Sequence, residues 1–254
     1  MKISGTIITL NEARNIRAAC ESIFWADEIV VIDSGSTDET VEIAAECGAR
    51  IIRNPWLGFA EQKQFATENS QHEWIFSLDA DERVSDELRT SIAALRSKPD
   101  EHLADGYVVA RRAFYMGRWI RGGGWYPNRQ LRLYRKSRGH WEGAYVHESV
   151  RMQPGARVER LKGDLLHYPF TDTAEHERMI VERYAPLAAR KMFEEGRRTS
   201  AFKLACIGPA TFIRNFILKG GFRDGHAGFT IAKLAAHHAY LKYRLLRELQ
   251  SRER

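Results

Sequence analysis

Cysteine is scarce in this 254-residue chain, and the three present, Cys20, Cys47 and Cys206, share no short Cys-x-x-Cys spacing. They read as core thiols in a reducing compartment, and neither a disulfide framework nor a cysteine zinc site is expected. No run approaches the roughly 18 apolar residues needed to span a bilayer, and Met1-Lys2-Ile3-Ser4-Gly5 enters a strand with no signal-peptide pattern. The expectation is a cytoplasmic protein that can still lie on a membrane. No nucleic-acid motif accompanies the sequence pI of 9.3, so a nucleic-acid partner is not expected.

What is present describes a folded chain, with 44% hydrophobic and 28% charged residues. Residues 181–254 hold 15 Lys and Arg against 6 Asp and Glu, a net of +9, which leaves the first 180 residues at −3. The basic tail points to an anionic partner.

Strands and helices alternate along the first hundred residues. Strands are expected at Ile3 to Leu10, Glu28 to Ile32 and Ala49 to Arg53, and helices at Ala13 to Ile23, Thr37 to Cys47 and Phe59 to Asn69. This is the pattern of an α/β, mostly parallel, doubly wound sheet. The next apolar run, Trp74-Ile75-Phe76-Ser77-Leu78, stops on Asp79-Ala80-Asp81-Glu82. Open sheets bind ligands at strand C-termini, where Asn11, Glu12, Asp33, Asp79 and Asp81 all fall. If extended geometry persists through Asp81, the two aspartates point the same way and suit Mg²⁺ or Mn²⁺. A surface turn would collect the same residues.

Three motifs in order, Thr9-Leu10-Asn11-Glu12, Asp33-Ser34-Gly35-Ser36-Thr37-Asp38 and Asp79-Ala80-Asp81-Glu82, resemble the nucleotide-binding half of family 2 glycosyltransferases with the GT-A fold. The segments Trp125 to Arg135, Val146-His147-Glu148 and Lys219-Gly220-Gly221-Phe222-Arg223-Asp224-Gly225 resemble the lipopolysaccharide-core β-1,4-glucosyltransferases of the WaaE type. The resemblance implies a GT-A domain over residues 1–178 and a basic, amphipathic helical region over 179–254.

It further implies that Thr9, Asn11 and Glu12 line the nucleotide pocket, with Asp33 accepting a hydrogen bond from the base. Helix capping is the competing role for Asp33 and Asp38. Asp81 becomes the main metal ligand, Asp79 a ligand or a sugar contact, and His167, which ends the run before Tyr168-Pro169, a further ligand or a structural residue. Glu82 either begins the following helix or takes part in catalysis. Glu148 is the implied base, against a surface salt bridge, and His147 assists it or packs. Arg132, opposite Leu131 and Leu133 by strand alternation, contacts phosphate or acidic sugar, or faces solvent.

The glycine triplet Gly122-Gly123-Gly124, with Trp119, Trp125 and Tyr126, reads as a hinged acceptor loop carrying flat faces for sugar rings. In the tail, Pro209 opens a helix over Ala210 to Lys219 with a stripe of Phe212, Ile213, Phe216 and Ile217. A second helix runs from Phe229 to Leu249. Basic amphipathic helices suit an anionic membrane surface.

The expected function is inverting, metal-dependent transfer of a hexose, glucose from UDP-glucose, onto a lipid-linked inner-core oligosaccharide. The enzyme would sit peripherally on the inner face of the cytoplasmic membrane. The alternatives are transfer onto a polyprenyl-phosphate carrier and a non-catalytic binding scaffold.

Overall fold

The computed structural model describes residues 1–143 and 148–252. In chain order the elements are β1 (Ile3–Thr9), α1 (Ile16–Ser22), β2 (Glu28–Asp33), α2 (Thr40–Glu46), β3 (Arg50–Arg53), α3 (Phe59–Glu68), β4 (Trp74–Asp79), β5 (Glu82–Val84) and α4 (Asp86–Arg96). There follow β6 (Gly106–Tyr115), β7 (Arg118–Trp119), β8 (Asn128–Arg135), β9 (Gly139–Glu142), β10 (Ser149–Met152) and β11 (Val158–His167). The chain ends in helices α5 (Thr173–Met179), α6 (Ala185–Glu194), α7 (Ala201–Ile213) and α8 (Gly225–Arg252).

The chain divides into two compact units, residues 1–111 with 129–167, and residues 112–128 with 168–254. The division differs from a single cut after residue 178 in that 112–128 and 168–178 both belong to the second unit.

The sheet runs β3-β2-β1-β4-β8-β6-β11-β5, with β7 on β6. Its first four strands are parallel, Thr9 lying beside Asp33 and Ile8 beside Asp79; β8 then pairs antiparallel with β4, and β5 with β11. Alternation sends Ile29 and Val31 of β2 into one core with Ile7, Phe76 and Ile92, and Val30 and Ile32 into another with Ala66. Each such side chain contributes roughly 1.5–3 kcal/mol when fully buried. Both faces are covered, so the strand ends are the open chemical edge.

Helix α4 illustrates the local rules. The Ser85 hydroxyl accepts from the Leu88 amide at 3.3 Å, Asp86 and Glu87 fill the first turn, and Leu88, Ile92 and Leu95 form its buried stripe. Strand β11 passes so close that a Cβ on Gly163 would lie 2.2 Å from the Leu88 nitrogen.

In the second unit α7 begins at Ala201, and Pro209 lies inside it instead of opening it. A π-helical segment, Arg214–Leu218, continues α7, giving an 18-residue apolar helix over Ala201–Leu218 that the runs of the primary sequence did not suggest.

Candidate active site

Strand β4 ends at Asp79, and Ala80 and Asp81 form a turn before β5. Extended geometry therefore stops before Asp81, and the two aspartates hold different partners. Asp79 Oδ1 accepts from Lys63 Nζ at 2.8 Å, and Asp79 Oδ2 from Arg132 Nη2 at 2.8 Å. Burial alone would raise the Asp79 carboxyl, but Arg132 and Lys63 outweigh it and hold it well below the usual carboxylate range.

Arg132 does not face solvent. It is 1% exposed, and its Nη2 also reaches Glu82 Oε1 at 2.7 Å. Strand β8 lies between β4 and β6 in the sheet, so alternation gave Arg132 a second buried face where the sequence alone allowed a wet one. Desolvation opposes its charge, but Asp79 and Glu82 raise its pKa above the ordinary arginine value. Glu82 is fully buried in β5, accepts additionally from Arg111 Nη1 at 3.3 Å and from the Asp79 amide at 3.1 Å, and does not begin α4.

Lys63 extends this array to Glu148. Its ammonium, 4% exposed, lies 3.0 Å from Glu148 Oε1 and 4.9 Å from the Trp141 ring centroid. Glu148, Trp141, Arg129, Gln130, Leu131 and Ser149 line a pocket of about 290 Å³, with Val150 completing it. Trp141 Nε1 donates to the Tyr134 hydroxyl at 2.8 Å, and Thr67 Oγ1 lies 2.7 Å from the same oxygen. Burial pushes the Tyr134 phenol up to about 12. The tryptophan face is thereby fixed in the pocket wall. His147 lies outside the described residues.

Asp81 meets His167 instead: Oδ2 and Nε2 are 3.2 Å apart, and both side chains are partly exposed. Among the described residues no cluster of three or more His, Cys, Asp or Glu side chains could hold a metal ion. A carboxylate and an imidazole converging at one point still fit Mg²⁺ or Mn²⁺ that takes its remaining ligands from diphosphate and water. Asp79 differs from this pair in that each of its oxygens already accepts from a cationic side chain.

The loops after β1 and β2 interlock. Asn11, at φ 55°, donates its amide to Ser36 Oγ at 2.9 Å and accepts from the Thr37 amide at 2.8 Å through Oδ1. The Glu12 amide donates to Thr40 Oγ1 at 2.8 Å. Asp33, 1% exposed, accepts from the Gly35 and Ser36 amides at 3.1 Å. It shapes its own loop. Asp38 accepts from the amides of Ala13 and Thr40 and from the Thr40 hydroxyl, tying the loop after β1 to the start of α2, whose N-cap is Glu39. The buried Thr9 Oγ1 has no hydrogen-bond partner among the described residues. Thr9, Asn11, Glu12 and Asp33 are thus gathered at one edge.

The glycine triplet is not an open hinge. A Cβ on Gly122 would lie 2.3 Å from the Gly220 carbonyl oxygen, and the Gly123 amide donates to Lys219 O at 3.0 Å. Asp224, fully buried, accepts from the Gly122 amide at 2.7 Å and the Arg121 amide at 3.1 Å. The Lys219-to-Gly225 segment is therefore a structural clasp for the triplet. Trp125 packs on Tyr115 and His176, and Trp119 on Phe114 and Tyr168, so Trp141 is the aromatic face that lines the described pocket.

Sequence reasoning passed over Lys63, Arg111 and Trp141. Lys63 left a signal: it shares the buried side of α3 with Ala60, Ala66 and Thr67, and a lysine on an apolar stripe needs a carboxylate partner.

The family model described as glycosyl transferase family 2 matches residues 4–156. The chain is 34% identical over 249 residues to the lipopolysaccharide core biosynthesis glycosyltransferase LpsC of Rhizobium meliloti, covering 95% of this chain and 90% of that protein. It is 31% identical over 263 residues to an uncharacterized glycosyltransferase of Rickettsia typhi, covering 100% of this chain and 89% of that one. A solved structure of S. aureus TarS 1–349 in complex with UDP-GlcNAc aligns at 15% identity with a TM-score of 0.49, over 100% of this chain and 93% of that chain.

Proposed function

We propose, from the premise that the chain belongs to glycosyl transferase family 2, that it moves a hexose from a nucleotide diphosphate donor, UDP-glucose, onto an inner-core sugar of lipopolysaccharide with inversion. The observation that supports the reading is the array Glu148–Lys63–Asp79, which links a pocket-lining carboxylate to the C-terminal end of β4, two residues before Asp81. The role of LpsC in lipopolysaccharide core biosynthesis supports the acceptor class.

In this reading Glu148 accepts the proton of the acceptor hydroxyl as that oxygen attacks the anomeric carbon. The bond from that carbon to the diphosphate oxygen breaks, and its electron pair leaves with the nucleoside diphosphate. Trp141 offers a flat apolar face to a sugar ring, and Lys63 fixes the Glu148 carboxylate. Thr9, Asn11 and Glu12 form the nucleoside end, with Asp33 shaping the loop that closes it. Asp81 and His167 would hold Mg²⁺ or Mn²⁺, which neutralises charge on a bound diphosphate. Asp79 orients Lys63 and Arg132 and does not itself serve as ligand. The acceptor is lipid-anchored, and the basic tail meets the anionic membrane that carries it, on the cytoplasmic face.

Calorimetric titration of UDP and of UDP-, GDP- and ADP-sugars, with and without Mn²⁺, tests the donor side. Metal-dependent binding of the uridine compounds should vanish in Asp81→Ala and on chelation. Glu148→Gln should bind UDP as the native protein does and lose transfer by about 10²–10⁴-fold. Failure of the folded protein to bind any nucleotide would overturn the proposal. Transfer to polyprenyl phosphate but not to delipidated core oligosaccharide would replace the acceptor.

A further inference from the structure

Helix α7 and its π-helical continuation present their apolar side to water. Phe202 is 79% exposed, Ile213 50%, Ile217 55% and Leu218 76%. With Cys206 and Pro209, also exposed, Phe202, Ile213 and Ile217 recur every three or four residues and form one stripe, with Leu218 beside its end. The opposite side is already occupied: Leu204 and Ile207 pack with Met192, Tyr243 and Leu246, and Phe212 and Phe216 meet Phe229. Over Ala201–Leu218 the mean hydropathy is 1.3, and only 11% of the span is buried. The expected stripe of Phe212, Ile213, Phe216 and Ile217 is thus split, two residues inward and two outward.

The surroundings of this face carry charge of one sign. From Gly196 to Arg223 the chain has Arg197, Arg198, Lys203, Arg214, Lys219 and Arg223 and no Asp or Glu. Lys203, Arg214, Lys219 and Arg223 are exposed. Two copies of this face would oppose like charges, which argues against self-association through it. A bilayer-spanning α7 would have to abandon its packing on α8. An apolar stripe with a cationic rim matches an anionic bilayer surface, with the helix lying in its plane.

We propose that α7 is the membrane-insertion element. The stripe from Phe202 to Leu218 enters the headgroup and acyl boundary, and Lys203, Arg214, Lys219 and Arg223 engage lipid phosphates. This rests on the reading that the acceptor is lipid-anchored and assigns the docking to α7 and not to the basic end of α8.

The exposed Cys206 supplies a reporter, with Cys20 buried and Cys47 replaced by serine. The full chain, labelled at Cys206 with an environment-sensitive fluorophore, is mixed with phosphatidylcholine vesicles or with vesicles of equal phosphatidylglycerol and phosphatidylcholine. A blue shift and co-flotation are expected with the anionic vesicles, weakened by salt, and reduced by about tenfold or more in an Ile213→Glu, Ile217→Glu double variant that keeps its circular dichroism and melting temperature. Unchanged emission with vesicles, or flotation of the double variant equal to that of the parent, would overturn the proposal. So would a blue shift without vesicles that grows with protein concentration, since a second copy would then cover the face. UDP titration of the same samples separates the two readings: loss of flotation with retained UDP binding sinks only this one, and the converse sinks only the donor assignment.

Discussion

At the scale of the residue, the site is organised by a buried alternation of charges: Glu148, Lys63, Asp79, Arg132, Glu82 and Arg111. Removing one partner of a buried pair is costly because the other stays desolvated. Arg132→Met leaves the buried Glu82 with the Asp79 amide and the 3.3 Å contact to Arg111, and should lower stability by about 3–5 kcal/mol in urea unfolding. Lys63→Met removes the group between the two pocket-side carboxylates. It should reduce kcat on the order of 10–100-fold while UDP affinity stays near native, because Glu148 loses its fixed orientation. A KM increase with unchanged kcat would instead assign Lys63 to acceptor binding. Arg132 was visible in the sequence as the polar member of an alternating strand. Its burial was not, since alternation names two faces without saying that β8 is a central strand.

Among the elements, the strands and helices of the parallel half were legible because their signals are local: apolar runs for β1, β2 and β4, a 3.6-residue period for α2. The turn at Ala80-Asp81 was not, because the same acidic residues suit a continuing strand. The glycine triplet shows the opposite failure. Glycine freedom suggested motion, whereas the need here is proximity: Gly228 and Gly221 also approach, a Cβ on Gly228 falling 1.9 Å from the Gly221 oxygen. Gly122→Ala would drive a methyl group against the Gly220 backbone. It should lower stability by roughly 1–3 kcal/mol in thermal or urea melts, as overpacking does, while an alanine at Gly208, where a Cβ would meet nothing nearer than the Ala236 oxygen at 3.8 Å, should cost less.

For the whole molecule, folding is linked to acid through His176. It is buried in the aromatic cluster of the second unit, stacked on Phe170 at 4.1 Å, with Nδ1 3.0 Å from the Tyr115 hydroxyl. Burial, assisted by His238, lowers it to about 4. The folded chain holds it neutral, whereas the unfolded chain protonates it below its ordinary value near 6.5. Its contribution is therefore complete above pH 6.5 and is lost as pH falls towards 4. Between pH 7.5 and 4.5 the parent should lose about 2–3 kcal/mol more than His176→Leu in urea unfolding followed at both pH values. Asp79 works in the same sense at lower pH, its depressed value adding stability that disappears only as acid reaches the carboxylate range and below. By itself the sequence determined the α/β class, the acidic strand ends, the family and the basic tail, since hydropathic period, motif order and charge are properties of neighbours along the chain. Only the tertiary structure decided that Asp81 faces His167 while Asp79 holds Lys63 and Arg132, that Glu148 joins this array across 85 residues, and which side of α7 meets water. Those depend on which elements pack together, and neighbours in space are set by burial of whole faces, not by local spacing.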